Sequence, residues 1–320
     1  MKQPWLSVIM PTYNGKDYLA SALDSIVTQG DPEIECIVID DGSVDATLSI
    51  IDTYSDILPL KLVQRERQGN WVANTNYALS VARADHVCFL HQDDLWLQGR
   101  LRVMKSLVEQ DPQASLYLHP SLFIDERGNR LGLWRCPLPT FPVSIEAKKM
   151  VEKLLVQNFI SIPAPLFKRE VALKLGGLNE KLWYTADWDF WLKIAACGHT
   201  VYYPQPLAAF RVHGSSQTIR RSSSLEEFEQ QMQGVVDTHW NYWKTTTNFQ
   251  PRIRQIALFS TKVNTALAAL VHGKKTNLWK LLLNFLTLGP LGWYLYQRDS
   301  RIWERVSARV KARLQAQTID

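Results

Sequence analysis

Residues 86–97 read HVCFLHQDDLWL, an apolar run from His86 to Leu90 that leads into two adjacent carboxylates, Asp93 and Asp94. A short apolar run bounded by polar residues fits a buried strand. Where such a strand stops at paired acids, an α/β protein presents hard oxygen ligands at a sheet edge, so the first chemistry to expect is a divalent metal carrying a phosphate. The competing reading is a helix N-cap, in which Asp accepts the free N–H groups of a helix seeded by Leu95, Leu97 and Leu101. On this stretch alone the two readings stand level.

The surroundings of the run define its fold class. From residue 5 to about 120, short β-rich runs at 6–10, 34–39, 60–63, 87–90 and 116–119 alternate with helix-period runs at 18–29, 45–54, 70–83 and 97–110. That alternation predicts an α/β protein with a mostly parallel central sheet flanked by crossover helices. Residues 120–145, broken by Pro120, Pro137, Pro139 and Pro142, read as loops with one hairpin turning at 125–129. Helices at 145–157 and 184–197 and strands at 200–203 and 207–212 complete this part. Beyond about 222 the pattern becomes helical, at 225–244 and 255–272. The division expected is therefore 1–221, with halves at about 1–119 and 120–221, followed by a helical region at 222–320.

Composition narrows the setting. A chain of 320 residues that is 46% hydrophobic and 21% charged has a sizeable core and no disordered tract, and its net charge of +5 points toward phosphates, anionic lipid or nucleic acid. Nucleic acid fits poorly, because the basic residues gather in one amphipathic segment and no nucleic-acid motif is present. Cys36, Cys88, Cys136 and Cys197 form no CxxC pair and read as free thiols of a reducing compartment. The N-terminal apolar run is too short for a signal peptide, which places the protein on the cytosolic side.

Two C-terminal stretches raise the question of membranes. NLWKLLLNFLTLGPLGWYLY, residues 277–296, is apolar but interrupted by Gly289-Pro290, and a spanning helix needs about 20 apolar residues. Residues 298–313 carry six basic and two acidic side chains, with Arg301, Arg305, Arg309 and Arg313 in one stripe and Ile302, Val306, Val310 and Leu314 in the next. Residues 277–314 therefore read either as a peripheral contact with the cytoplasmic face of an anionic membrane or as helices packed on the catalytic domain with a solvated basic face.

Other segments end in chemistry-bearing residues. SVIMPTYNG, residues 7–15, is a strand running into Pro11, Tyr13 and the turn Asn14-Gly15, where exposed backbone could meet a base. ECIVIDDGSVDAT, residues 35–47, ends a buried strand in Asp40 and Asp41, and a carboxylate there can accept from a ribose or a nucleobase N–H; helix capping competes. QGNWVANTNYAL, residues 68–79, opens a helix at Asn70 and carries Asn74. In WYTADWDFWLKIAACG, residues 183–198, Asp187 and Asp189 lie among Trp183, Tyr184 and Trp188, the combination that stacks on a pyranose and takes its hydroxyls, although a Trp-rich helix is also ordinary core. FRVHGSSQT, residues 210–218, places Arg211 and His213 on a strand end, where they could meet a diphosphate or its metal.

In this order the motifs SVIMPTYNG, IVIDDGSVDAT, GNWVANTNYAL, FLHQDDLWL, ADWDFWLKIAACG and FRVHGSS resemble the family 2 glycosyltransferases of the GT-A fold, over roughly residues 5–215. The resemblance implies an inverting transfer from a nucleoside diphosphate sugar, with uridine and thymidine diphosphate sugars first in line, to a glycan or lipid-linked acceptor in polysaccharide or glycoconjugate biosynthesis. It implies Asp187 as catalytic base, and Asp94 with Asp93 and His213 around a Mg or Mn ion. Pro11, Tyr13, Asp40, Asp41, Asn70, Asn74, Asp93 and Arg211 would surround the donor, and Trp183, Tyr184, Trp188 and Asp189 the sugar or acceptor. Two positions depart from the family pattern. His91 stands where an acid is common, and Ala186 where many members have Glu; both motivate the alternative of a catalytically silent nucleotide-sugar or glycan-binding scaffold.

Overall fold

A computed structural model describes residues 3–214, 224–246 and 250–317. The expected boundary at 221–222, and residues 215–218 of the last motif, lie outside the described residues. Eight strands form the main sheet in the order β3 (Leu60–Gln64), β2 (Ile34–Asp40), β1 (Leu6–Thr12), β4 (His86–Phe89), β10 (Leu166–Lys168), β6 (Leu116–Leu118), β11 (Thr200–Tyr202), β9 (Val143–Ile145). The first four run parallel. Antiparallel β10 is inserted between β4 and β6, and β9 closes the far edge antiparallel to β11, so the sheet is mixed in its second half.

The parallel half follows from strand periodicity. Successive side chains of β1 point to opposite faces, and both faces are covered. Leu6, Val8 and Met10 pack on one side with Leu19, Leu23 and Ile26 of α1 (Leu19–Val27) and with Met104 of α4 (Arg100–Gln110). Ile9, with Ile37 and Ile39 of β2, packs on the other against α3 (Trp71–Val81), α5 (Ala147–Val156) and α7 (Ala186–Ala196). Burial on both faces is why these strands read as continuous apolar runs. The same second core takes in Met232, Val235, Val236 and Trp243 of the helix Leu225–Thr246 and Ala257 of the helix Pro251–Val271.

A second sheet, β5 (Leu95–Trp96), β12 (Ala208–Arg211), β7 (Ser121–Ile124) and β8 (Arg130–Trp134), includes the expected hairpin across 125–129. It also decides the reading of the two acids. Leu95–Trp96 pairs antiparallel with β12, and α4 starts only at Arg100 behind a left-handed Gly99, so Asp93 and Asp94 cap no helix and sit in the turn that passes the chain from one sheet to the other.

The stretch 277–296 is two helices, Leu278–Leu286 and Gly289–Ser300, parted at the glycine-proline step. Among the described residues no helix is long and apolar enough to cross a membrane. The basic segment forms the helix Ile302–Gln317, with Arg301 in the left-handed region before it. It lies on β8 with Ala308 buried against Phe123 and Leu131. Its outer surface carries both kinds of side chain: Trp303, Val310 and Leu314 are exposed, and so are Arg309 and Arg313 of the expected basic face, which stand at the opening of a cavity that Arg305 lines from a half-buried position. Cys36, Cys88 and Cys136 are buried free thiols and Cys197 is exposed.

Candidate active site

The ends of β1, β2 and β4 open into one cavity of about 920 Å³. Parallel strands bring their C-terminal ends to one side, and this is where the crevice of an open α/β sheet forms. At its β1–β2 end, Asp41 accepts the N–H groups of Gln68 and Gly69, both at 2.9 Å, and pairs with Arg67. Burial alone would raise the Asp41 carboxyl; these bonds, with one from Asn74, hold it below the usual carboxylate range. Gly42 has φ +74°, and a Cβ there would lie 3.0 Å from the Arg67 nitrogen, so only glycine lets β2 end against this loop. Arg67 stacks over the Tyr13 ring at 3.5 Å. Gln92 locks Tyr13 from the other side, accepting its N–H at 2.8 Å and donating to its carbonyl at 3.1 Å.

The acid turn comes next. Asp93 Oδ2 lies 2.8 Å from Nε2 of His213, with both residues lining the cavity. Burial pushes Asp93 up, but the His213 bond and the neighbouring imidazoles hold it low. Asp94 is deeper, 1% exposed, and accepts the Arg211 N–H at 3.0 Å; burial and the charge of Asp93 push its carboxyl well up. Arg211 is a brace. Its Nε donates to the Asp93 carbonyl at 2.8 Å and its Nη1 to the carbonyls of Asp125 and Glu126 at 2.9 and 3.0 Å, while the guanidinium stacks on Tyr18. These bonds tie the two turns together through Nε and Nη1, while the residue still lines the cavity.

Asp187 stands elsewhere on the cavity wall, in the first turn of α7. Asn158 Nδ2 donates to it at 2.8 Å. Burial raises its carboxyl to about 6 against the opposing pull of the Trp188 N–H, Asn158 and Arg305. Arg305 bonds the Asn158 carbonyl and lies over Trp134 at 4.7 Å; burial and Arg309 lower its guanidinium to about 9. Trp134 stacks on Phe123 and meets Phe210 edge-on, so three rings form an apolar wall. Trp183 and Tyr184 line the cavity too, their N–H groups held by Gln231 Oε1 at 2.9 and 3.1 Å.

Three expected site residues do other work. Asp40 gives its carboxylate to Ser43, through the Ser43 N–H at 2.9 Å and the hydroxyl, and does not line the cavity. Asn70 caps α3, accepting from Val72 and Ala73 at 3.1 and 3.3 Å; the donors it satisfies are the helix's own. Asp189 is 3% exposed and is bonded to His239 at 2.8 Å and Lys193 at 2.6 Å, away from the cavity. Trp188 reaches the cavity, but its indole N–H donates to the Leu154 carbonyl at 2.7 Å and the ring is 3% exposed, so it is mainly core. Pro11, Tyr13, Asp41 and Asn74 line the cavity as expected. Sequence reasoning missed Arg67 and Asn158, which sit in irregular segments without periodicity, and Trp134, the last residue of β8; for Arg305 the stripe was visible and its inward direction was not.

The residues present fit a hard divalent cation in one manner. Among the described residues no group of three or more His, Cys, Asp or Glu side chains could hold a metal alone. Asp93 and His213 offer two donor atoms 2.8 Å apart, close to the edge of roughly 3 Å between neighbouring ligands of an octahedral Mg site. Such ions take one or two protein ligands and complete their shell with water and substrate phosphates, so this pair suits a cation that arrives with a diphosphate. Asp94 lines the same cavity behind the pair, with its Oδ1 accepting the Arg211 N–H.

Residues 7–176 match the model of the family described as Glycosyl transferase family 2. An uncharacterized glycosyltransferase of Rickettsia typhi is 26% identical over 243 residues, covering 73% of this chain and 72% of the relative. One from Haemophilus influenzae is 28% identical over 189 residues, covering 59% and 61%. Among solved structures, S. aureus TarS 1-349 in complex with UDP-GlcNAc matches with a TM-score of 0.63 at 19% identity, over 98% of this chain and 92% of that one. The mannosyltransferase PcManGT from Pyrobaculum calidifontis, in complex with GDP-Man and Mn2+, matches at 0.53 and 19%, over 98% and 88%. At these identities the structural likeness establishes the shared GT-A fold.

Proposed function

The chain belongs to glycosyl transferase family 2, and from that premise we propose that it moves a sugar from a nucleoside diphosphate sugar to an acceptor hydroxyl with inversion at the anomeric carbon. The observation that carries the proposal is the placement of Asp187 and the Asp93–His213 pair on separate elements around one cavity. The nucleoside lies toward Tyr13, Asp41 and Arg67, where a ring to stack on and a carboxylate to accept are both available. Asp93 and His213 would hold a Mg or Mn ion, and such an ion, when bound, would supply positive charge to the departing diphosphate.

Asp187 takes the acceptor proton as the hydroxyl oxygen attacks the anomeric carbon and the bond to the diphosphate breaks. A carboxylate near 6 is ionised at neutral pH yet more basic than an ordinary Asp, which suits a general base. Asn158 fixes its orientation. One displacement with one base needs no second carboxylate facing it as a nucleophile. The donor is a uridine or thymidine diphosphate sugar, and the acceptor a glycan or lipid-linked saccharide of cell-surface biosynthesis. Exposed Leu278, Trp279, Leu282, Leu283 and Leu286 on the helix Leu278–Leu286, next to Lys280, support attachment of the enzyme to the surface of an anionic membrane.

A mass-spectrometric screen of donor hydrolysis with Mn, uridine and thymidine sugars first, tests the reading. Release of a nucleoside diphosphate from one donor is expected, and nuclear magnetic resonance of the transferred product gives the anomeric configuration. Tight nucleotide binding with no turnover of any donor would establish the silent scaffold instead.

A further inference from the structure

The C-terminal helix Ile302–Gln317 places three arginines along the cavity that houses Asp187, Arg305 half-buried within it and Arg309 and Arg313 exposed at its opening. Arg305, Arg309 and Arg313 recur every four residues, so they form one row with about 6 Å of rise between neighbours. The inner end of the row touches the base. Arg305 bonds the carbonyl of Asn158, the residue whose side chain holds Asp187. The outer two are poorly neutralised. Arg313 donates to the Val271 carbonyl at 3.2 Å, and Arg309, its neighbour one turn earlier, bonds no carboxylate among the described residues; both are exposed and reachable by a ligand at the opening of the cavity.

Cations placed side by side without acids repel one another, and the arrangement becomes favourable when an anion enters. The donor diphosphate has its own pole at Asp93 and His213. A second anionic group is therefore needed beyond Asp187, on the acceptor side. Guanidinium forks match phosphate oxygens better than point charges do, and a row extending over two further helical turns can hold two phosphate groups at once.

We propose that Arg305, Arg309 and Arg313 bind a phosphate-bearing acceptor, its anionic groups lying along the helix and its hydroxyl delivered to Asp187. This rests on the glycosyl-transfer reading above and specifies the acceptor class. Two sources share the chemistry: a diphosphate that links a saccharide to a lipid, and a phosphodiester in a polyol phosphate chain.

The test uses the full-length protein with the donor end saturated by a nucleoside diphosphate and Mn. Tripolyphosphate is titrated calorimetrically into this complex, into the double variant Arg309→Glu, Arg313→Glu, and into the conservative Arg309→Lys, Arg313→Lys. The expected result is a tripolyphosphate affinity at least tenfold lower in the Glu variant and largely kept in the Lys variant, with nucleotide affinity within twofold in all three. Either a glycerol phosphate oligomer or vesicles containing a polyprenyl diphosphate then displaces tripolyphosphate, and which one does so identifies the source. An unchanged affinity in the Glu variant, no tripolyphosphate binding by the parent protein, or no displacement by either probe overturns the inference. Failure of the nucleotide itself to bind would instead overturn the glycosyl-transfer reading, so the two failures are distinct.

Discussion

Replacing Asp187 by Asn separates the chemistry of this residue from its effect on folding. The Asp187 carboxyl has its ordinary value of 3.8 in the unfolded chain and is raised to about 6 in the folded one. Between those values the unfolded chain has released the proton and the folded chain keeps it, so stability falls as pH rises through the window and stays lower above it. The burden of the buried charge is then about 1 kcal/mol at pH 4.5 and as much as about 3 kcal/mol at pH 7.5. Asn titrates in neither state. Asp187→Asn should thus be more stable than the parent protein in urea denaturation at pH 7.5, with the advantage shrinking by about two-thirds at pH 4.5. Transfer should fall by about 100- to 10,000-fold, the usual contribution of a general base. Parent activity should rise with pH to about 6 and then level. A variant that is less stable at pH 7.5, or that keeps transfer within tenfold of the parent, would refute the reasoning; a variant that merely loses nucleotide affinity would move Asp187 to the donor.

Four other outcomes are expected. Asp93→Ala should reduce Mn-dependent binding of a nucleoside diphosphate by at least about tenfold, roughly 1.4 kcal/mol, and chelation of the metal should do the same to the parent protein in calorimetry. Asn70→Ala should lower unfolding free energy by about 1 kcal/mol through loss of the α3 cap, with nucleotide affinity unchanged; a weakened nucleotide would return Asn70 to the site. Asp189→Ala should lose about 3 kcal/mol in urea denaturation, chiefly because it strands the buried His239, with the half-buried Lys193 losing its partner as well. Trp279→Glu with Leu283→Glu should abolish co-sedimentation with anionic vesicles while leaving nucleotide affinity intact, and retained co-sedimentation would remove the membrane from this face.

The parallel half of the fold was legible because both faces of β1, β2 and β4 are buried, so their central runs are almost wholly apolar, with Ser7 and Glu35 buried as a hydrogen-bonded pair. Acids at the ends of those runs pointed to the cavity for the same reason. Side-chain direction was harder to read. Asp187 and Asp189 are two residues apart, about 200° around a helix, so they face opposite sides; the i,i+4 partner Lys193 belongs with Asp189 and not with the cavity. Asn70 and Asp40 have the residue types of a binding site and the positions of a cap and a turn, and only their hydrogen bonds decide between the two. The arginine stripe was visible at its four-residue spacing, and its outer members Arg309 and Arg313 are exposed as amphipathic logic expects; what the spacing did not reveal is that Arg305 turns inward to Asn158. Asn158 follows the end of α5 in a segment with no period, and Trp134 ends a hairpin strand whose facing was not readable, so neither gave a signal.

The wall that carries Arg305, Arg309 and Arg313 bears on when the enzyme becomes competent during its synthesis. The end of the cavity proposed for the nucleoside is in place once β4 and its turn have formed, and the proposed base arrives at residue 187, whereas the helix along the far side follows only at Ile302–Gln317. A nascent or prematurely ended chain would hold an activated donor beside a base in open water, the setting in which a transferase wastes its donor by hydrolysis. Placing the last wall so late in the chain couples protection of the donor to completion of that helix.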